Sequence, residues 1–202
     1  MPSLTRRTAL AAAGAASLAP AAAVATSADA SAVAVAAAKI VKQGAGRAIP
    51  FPLHPISQVV AGADLPANVS FFHSVIPAGA PGAPPHVHVH EDEVYFILEG
   101  EAHFLLDDRV ETAAAGDTVI LPRGQFHANW NEGATPVATL VFVSQDSRFE
   151  GFFDDVARRV LAAGVADPAE AAAIVGRTGA DYGVTIDMGR TPERAKPFFG
   201  LG

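Results

Sequence analysis

The sequence predicts an all-β fold, one jelly roll or closed barrel, followed by a short α-helical extension. Three observations carry this. From about Ala48 to Asp146, short apolar runs alternate with Pro, Gly and Asn punctuation, as antiparallel strands joined by tight turns require. After Asp146 the apolar residues change to helical spacing. A chain of 202 residues, half of them apolar, also suffices for one sizeable core plus appendages.

The expected strands are Gln58–Val60, Val69–Ile76, Pro85–Val89, Val94–Leu98, Ala102–Leu106, Thr118–Leu121, Phe126–Asn131 and Ala138–Ser144. Gly79-Ala80-Pro81-Gly82, Glu99-Gly100, Asp107-Asp108, Ala115-Gly116-Asp117, Pro122-Arg123-Gly124 and Asn131-Glu132-Gly133 supply the turns. Eight short strands with such turns make a sandwich, jelly roll or barrel over residues 47–146. Residues 147–202 form the extension. Phe149, Phe152, Phe153, Val156, Val160 and Leu161 recur at intervals of three, four and one, the stripe of an amphipathic helix. A second helix follows Asp167, its cap, with Pro168 in the first helical position. Both helices are expected to pack on the outside of the barrel or on a partner subunit. The tail from Thr191 to Gly202 is expected to be irregular.

Composition excludes several chemistries. The formal charge is −7, and no run of Lys or Arg lies beyond the first few residues, which argues against nucleic acid or an anionic membrane as partner. A small-molecule ligand fits better. Cysteine is absent, so disulfides, thiolate metal sites and a cysteine nucleophile are excluded. The opening residues place Arg6 and Arg7 before an Ala-rich run too short and weakly apolar to span a bilayer, as in an export signal. The paired arginines resemble a twin-arginine signal. Residues 1–36 are therefore expected to be a leader, cut near Ala23-Val24-Ala25 or Ala28-Asp29-Ala30, and the protein to be periplasmic or extracellular. Loss of Arg6, Arg7 and Asp29 leaves the mature domain acidic, with a charge near −8.

Any metal must then be held by imidazole and carboxylate. His86 and His88 lie two apart, so in a strand both rings point to one face while Val87 points to the other. Glu93 has the opposite parity and reaches that face only if the chain bends over His90–Asp92, a polar stretch suited to a turn. Beyond the bend Glu93, Tyr95 and Ile97 point inward, and Val94, Phe96 and Leu98 outward. A second segment turns at Pro122-Arg123-Gly124 and continues with His127, Asn129 and Asn131 on one face, and Phe126, Ala128 and Trp130 on the other. Imidazole and carboxylate ligands suit Fe, Ni, Mn, Co, Cu or Zn. Four protein ligands on an octahedral ion leave open positions, as a catalytic metal needs.

These two segments resemble the paired motifs of the cupin superfamily. The first, H-x-H-x4-E-x6-G, is matched by His86, His88, Glu93 and Gly100; the second, G-x5-P-x-G-x2-H-x3-N, by Gly116, Pro122, Gly124, His127 and Asn131. The glycine common six residues before the first histidine is Ala80 here, with Gly79 beside it. Over roughly residues 47–188 the chain is similar to bacterial single-domain cupins of the quercetin dioxygenase type, including Phe149-Glu150-Gly151-Phe152-Phe153 and Tyr182-Gly183. The resemblance implies a double-stranded β-helix and one divalent transition metal ion on His86, His88, Glu93 and His127. It also implies that Glu93 is both ligand and catalytic base, and that the protein is a homodimer, for which Phe149–Leu161 is a candidate contact.

The leading expectation is a metal-dependent dioxygenase for a small aromatic or enolic substrate. A non-catalytic binding protein and a redox-neutral isomerase or lyase are the rivals, because one fold and ligand set hosts many reactions. His90 is read as an exposed turn residue, and His54, His73 and His103 as packing residues. Tyr95, Phe104, Phe126 and Trp130 are read as core aromatics, and Asp107, Asp108 and Glu111 as a solvated hairpin.

Overall fold

The computed structural model describes residues 37–144, 147–165 and 168–201. The leader at 1–36 and the expected helix cap Asp167 lie outside the described residues. In chain order the elements are β1 (Arg47–Ile49), β2 (Ile56–Val60), β3 (Ser70–Ile76), β4 (His86–His88), β5 (Glu93–Glu99), β6 (Glu101–Leu106) and β7 (Arg109–Ala114). They continue with β8 (Thr118–Leu121), β9 (His127–Trp130), β10 (Val137–Val143), α1 (Ser147–Ala163), α2 (Pro168–Asp181) and β11 (Val184–Ile186). The strands form two antiparallel sheets, one in the order β1-β2-β3-β10-β5-β8 and one in the order β11-β4-β9-β6-β7. This is the expected all-β jelly roll with a short helical extension.

Period-two alternation places the core. On β3, Ser70, Phe72, Ser74 and Ile76 are buried, and on β10, Val137, Thr139, Val141 and Val143, with half-buried neighbours between them. Glu93, Tyr95 and Ile97 of β5 point inward, while Phe96 and Leu98 are exposed, as their parity requires. Gly100, which closes the first motif, has φ +81° between β5 and β6, and a Cβ there would stand 2.8 Å from the Pro136 carbonyl oxygen. Both facts demand glycine. Asn131, which closes the second motif, donates from Nδ2 to the carbonyls of Ile76, Pro77 and Thr135, and its Oδ1 accepts from the Gly133 amide. It ties the turn after β9 to the end of β3.

Three strands are additional to those expected. β7 carries one buried residue, Ala113, so no apolar alternation marks it in the sequence. β1 and β11 have three residues each, too few for any periodicity to show. β11 pairs with β4, placing Val184 opposite His88 and Ile186 opposite His86.

The helices correct the sequence reading. The α1 stripe does not lie on the outside of the barrel or face a partner. Phe149, Phe152, Phe153 and Val156 join the main core with Phe72, Tyr95 and Val141. Of that stripe Leu161 alone stays exposed, so α1 does not offer the stripe to a second copy. Burying an aromatic or large aliphatic side chain contributes about 1.5–3 kcal/mol, so this stripe is a principal tie between extension and barrel. Glu150 reinforces it, accepting hydrogen bonds from the Gly62 amide and the Ser70 hydroxyl. Gly151 provides the room in which the Tyr182 ring lies against α1, its nearest ring atoms 3.2 Å from where a Cβ would be.

The tail is a second correction. Glu193–Phe199 forms 3-10 turns, and Ala195, Phe198 and Phe199 cluster with Leu105, Ala128 and Trp130 on the outer side of the five-stranded sheet. Strand β9 is consequently buried on both faces. Phe126 departs from its expected place too. It is half-buried just before β9, with the Arg190 guanidinium 4.3 Å above its ring.

Candidate metal centre

His86, His88, Glu93 and His127 are all buried, and one donor atom from each can be chosen so that all lie within 4.8 Å of one another. Pairing explains the three imidazoles, since β4 and β9 are neighbours with His86 directly opposite His127. Glu93 comes from the other sheet. The bend expected at His90–Asp92 is the crossing between sheets. Asp92 staples it by accepting from Arg123 Nε and NH2 at 3.0 and 2.6 Å and from the Arg123 amide at 3.0 Å. The Asp92 amide donates to Ser144 Oγ at 2.9 Å. The Gly124 amide meanwhile donates to the His88 carbonyl at 2.8 Å, docking the Pro122-Arg123-Gly124 turn on the histidine strand.

Hydrogen bonding settles which nitrogens face inward. His86 Nδ1 lies 2.7 Å from the Pro84 carbonyl and His127 Nδ1 lies 3.1 Å from the Gln125 carbonyl. His88 Nδ1 lies 3.1 Å from Glu91 Oε2. A carbonyl or carboxylate oxygen can only accept, so each Nδ1 carries hydrogen and, in the neutral ring, each Nε2 presents a lone pair. Those lone pairs converge. His86 Nε2 and His88 Nε2 are 3.0 Å apart, and Glu93 Oε2 is 3.1 Å from His127 Nε2 and 3.6 Å from His88 Nε2. Three lone pairs and a carboxylate aimed at one point repel unless a cation sits among them, and the donor set fits a divalent transition metal ion.

Positive charge is opposed on His86 and favoured on His88. Burial, with the charges of His127 and His88, holds the His86 imidazole well below the ordinary histidine value. Burial also opposes charge on His88, but Glu93 and Glu91 outweigh it and raise that ring. Burial alone would raise Glu93; His88 and the hydrogen bond to His127 overcome it and hold the carboxyl at about 2. Burial, then the Glu93 charge, keep the Tyr95 phenol well above its usual value, so it remains a neutral hydroxyl.

Glu91 is a site residue the sequence did not reveal. The polar stretch His90–Asp92 suits a turn, yet the Glu91 side chain is fully buried and orients His88. Its Oε1 has no hydrogen-bond partner among the described residues, an expensive state that close service to a cation site would explain. The H-x-x-E spacing from His88 to Glu91 was the available signal. Glu91→Gln keeps the volume and removes the charge, and is expected to weaken metal affinity about 10- to 100-fold in a chelator-competition titration. His90 is exposed, as expected. His103 stacks on Trp130 at 5.6 Å on the outer side of its sheet, with Arg194 3.2 Å from its Nε2.

His86, His88 and Glu93 line a cavity of about 80 Å³ whose walls are mostly apolar, and His127 closes the cluster behind them. Phe51, Phe72, Phe149, Phe152 and Phe153 form its aromatic side, so α1 supplies part of the cavity wall. His88 meets Phe149 edge-on at 5.0 Å. No Lys or Arg is among the lining residues. Tyr95 and Asn129 also face the cavity, and Asn129 Oδ1 accepts from the Ala83 amide at 2.9 Å.

Residues 72–143, which contain all four cluster residues, match the Cupin domain family. Germin-like protein 1-1 of Oryza sativa subsp. japonica is 34% identical over 100 residues, covering 42% of this chain and 45% of that protein. Germin-like protein 5-1 of the same plant is 37% identical over 68 residues, 30% of this chain and 31% of that protein. The chain thus spans less than half the length of these curated relatives. Among solved structures, the polyketide cyclase RemF from Streptomyces resistomycificus is 19% identical with a TM-score of 0.48, covering 55% of this chain and 81% of that chain. The DMSP lyase DddQ from Ruegeria pomeroyi DSS-3 is 29% identical with a TM-score of 0.41, covering 56% of this chain and 58% of that chain.

Proposed function

We propose that the protein is an exported, metal-dependent cupin oxidoreductase, a dioxygenase acting on a small aromatic or enolic, flavonol-like hydroxyl compound. The observation that carries this is the convergence of three Nε2 lone pairs and the Glu93 carboxylate on the wall of an aromatic cavity. Export rests on the Arg6-Arg7 leader.

A bound divalent ion would acidify a coordinated hydroxyl and offer an open position to a second reactant. His86, His88 and His127 would hold such an ion as neutral donors, their Nδ1 hydrogens anchored so that the rings cannot swing away. Glu93 supplies one negative charge, which leaves a divalent site with one net positive charge. A single deprotonated phenol or enol cancels it. A second negative charge would sit against apolar walls with no Lys or Arg to pair it, which selects against dianions. Glu93, held at about 2, is a weak base on its own, so its role as proton acceptor requires a hydroxyl acidified at the same site. Phe149 packs flat on Phe152 and edge-on to Phe153, and such a wall would take a flat ring in either arrangement. Both atoms of dioxygen end in the product of such a reaction, so no external reductant is needed.

Elemental analysis of the purified chain, paired with oxygen-electrode measurements on a flavonol and enediol panel, tests the reading. Close to one transition metal per chain, with oxygen uptake that chelation abolishes, is expected. Metal with unchanged substrate and no oxygen uptake would sink the enzyme in favour of a binding protein. Turnover that persists anaerobically would make it a redox-neutral lyase or isomerase.

A further inference from the structure

One polar pair in the cavity wall is not used by the metal cluster. His54, in the loop before β2, has its Nδ1 3.2 Å from Ser74 Oγ and 3.4 Å from the Pro55 carbonyl. Ser74 points inward from β3, and its backbone partner on β2 is Ile56. Phe51 stands edge-on to the His54 ring at 5.5 Å and packs on Phe153 at 5.4 Å, so the imidazole is held in the same aromatic layer that α1 provides. Both hydrogen-bond contacts engage Nδ1, which leaves Nε2 with no protein partner among the described residues. His54 and Ser74 line the same cavity as His86, His88 and Glu93. Burial, partly offset by the Pro55 carbonyl, lowers the His54 imidazole below the ordinary histidine value, so the ring is neutral at neutral pH. With Nδ1 carrying its hydrogen toward the Pro55 carbonyl, the neutral ring presents a lone pair at Nε2, and an apolar wall gives it little else to accept from.

We propose that His54, oriented by Ser74, is a second polar anchor of this cavity, its Nε2 accepting a hydrogen bond from a second hydroxyl of the ligand held at the histidine–glutamate cluster. This rests on the cavity being the substrate site, as given above, and it narrows the substrate class. The ligand is small, flat and uncharged in solution, with two oxygen functions: one ionises at the cluster and the other meets His54. Monofunctional phenols satisfy only the first. Ser74 is a positioning residue here, fixing the ring through Nδ1.

The test is equilibrium dialysis of the zinc-loaded full chain, without oxygen, against phenol, catechol, resorcinol and hydroquinone, which differ only in the presence and place of a second hydroxyl. The wild-type chain should bind at least one diol roughly three- to tenfold more tightly than phenol, the span one hydrogen bond allows. His54→Ala should abolish that preference and change phenol binding less than twofold. Ser74→Ala should reduce the preference, and His54→Gln, which keeps a polar group at nearly the same volume, should restore part of it. A diol preference unchanged in His54→Ala, equal losses for phenol and diol, or no diol preference in the wild type overturns the proposal. Zinc content and thermal melting are read for every variant. A wild-type chain that takes up no metal would overturn the metal-centred reading, and the same phenol–diol comparison on the metal-free chain still decides the role of His54.

Discussion

His127→Ala is expected to abolish metal retention and turnover together while leaving the barrel folded. Second-layer partners of a metal site each account for about 10- to 100-fold in affinity, so loss of a nitrogen that faces the site should cost more than about 100-fold. The alanine would also leave Glu93 without its 3.1 Å neighbour and with one lone-pair donor fewer to share a cation. The measurement is metal per chain after dialysis, by elemental analysis, next to oxygen uptake and far-ultraviolet circular dichroism. A variant that keeps a full complement of metal would refute the four-residue site, because β9 carries no other histidine that could replace it. Unchanged dichroism distinguishes this from unfolding. His127 faces Glu93 and the cluster, and its removal does not disturb the opposite face of β9, where Ala128 and Trp130 meet the tail.

Trp130→Ala is expected to do the reverse, destabilising the fold by about 3–5 kcal/mol and lowering Tm by roughly 6–20 °C, with metal still bound below the new transition. Trp130 is fully buried, packs with Leu105, Ala128 and Ala195 beside Phe198 and Phe199, and donates from Nε1 to Glu132 at 2.7 Å. Glu132 in turn holds Arg194 of the tail at 2.7–2.8 Å. The substitution therefore leaves a cavity and frees the tail in one step. Trp130 is the sole tryptophan of the chain, so the wild-type emission wavelength reports directly on tail docking. A Tm shift under about 2 °C would show that the tail contributes no stability of its own.

Much of the barrel was legible because its signals are local. Alternation along β3, β5 and β10 and the turn glycines need only neighbours in sequence to act, and each expected strand has a counterpart in the fold. The strands that escaped notice are the three-residue β1 and β11 and the polar edge β7, whose pairing is set by partners far along the chain. The α1 stripe showed that a helix had something to bury. It could not show what. A stripe of three phenylalanines, two valines and a leucine fits an outer sheet face, a partner subunit or a cavity wall equally well, and the choice followed from where the chain emerges after β10.

The site divides in the same way. Residue types and spacing along the chain name His86, His88, Glu93 and His127 and the absence of cysteine limits the donors to imidazole and carboxylate, since both are properties of the linear order. That Glu93 faces the histidines from the opposite sheet, that Glu91 is buried behind His88, and that His54 shares their cavity all come from the folding of one sheet over the other. Parity within a strand says which side chains share a face. Which faces then meet depends on contacts between residues up to a hundred positions apart, where strand pairing, Asp92–Arg123 and the packing of α1 bring into one cavity groups that no local pattern connects.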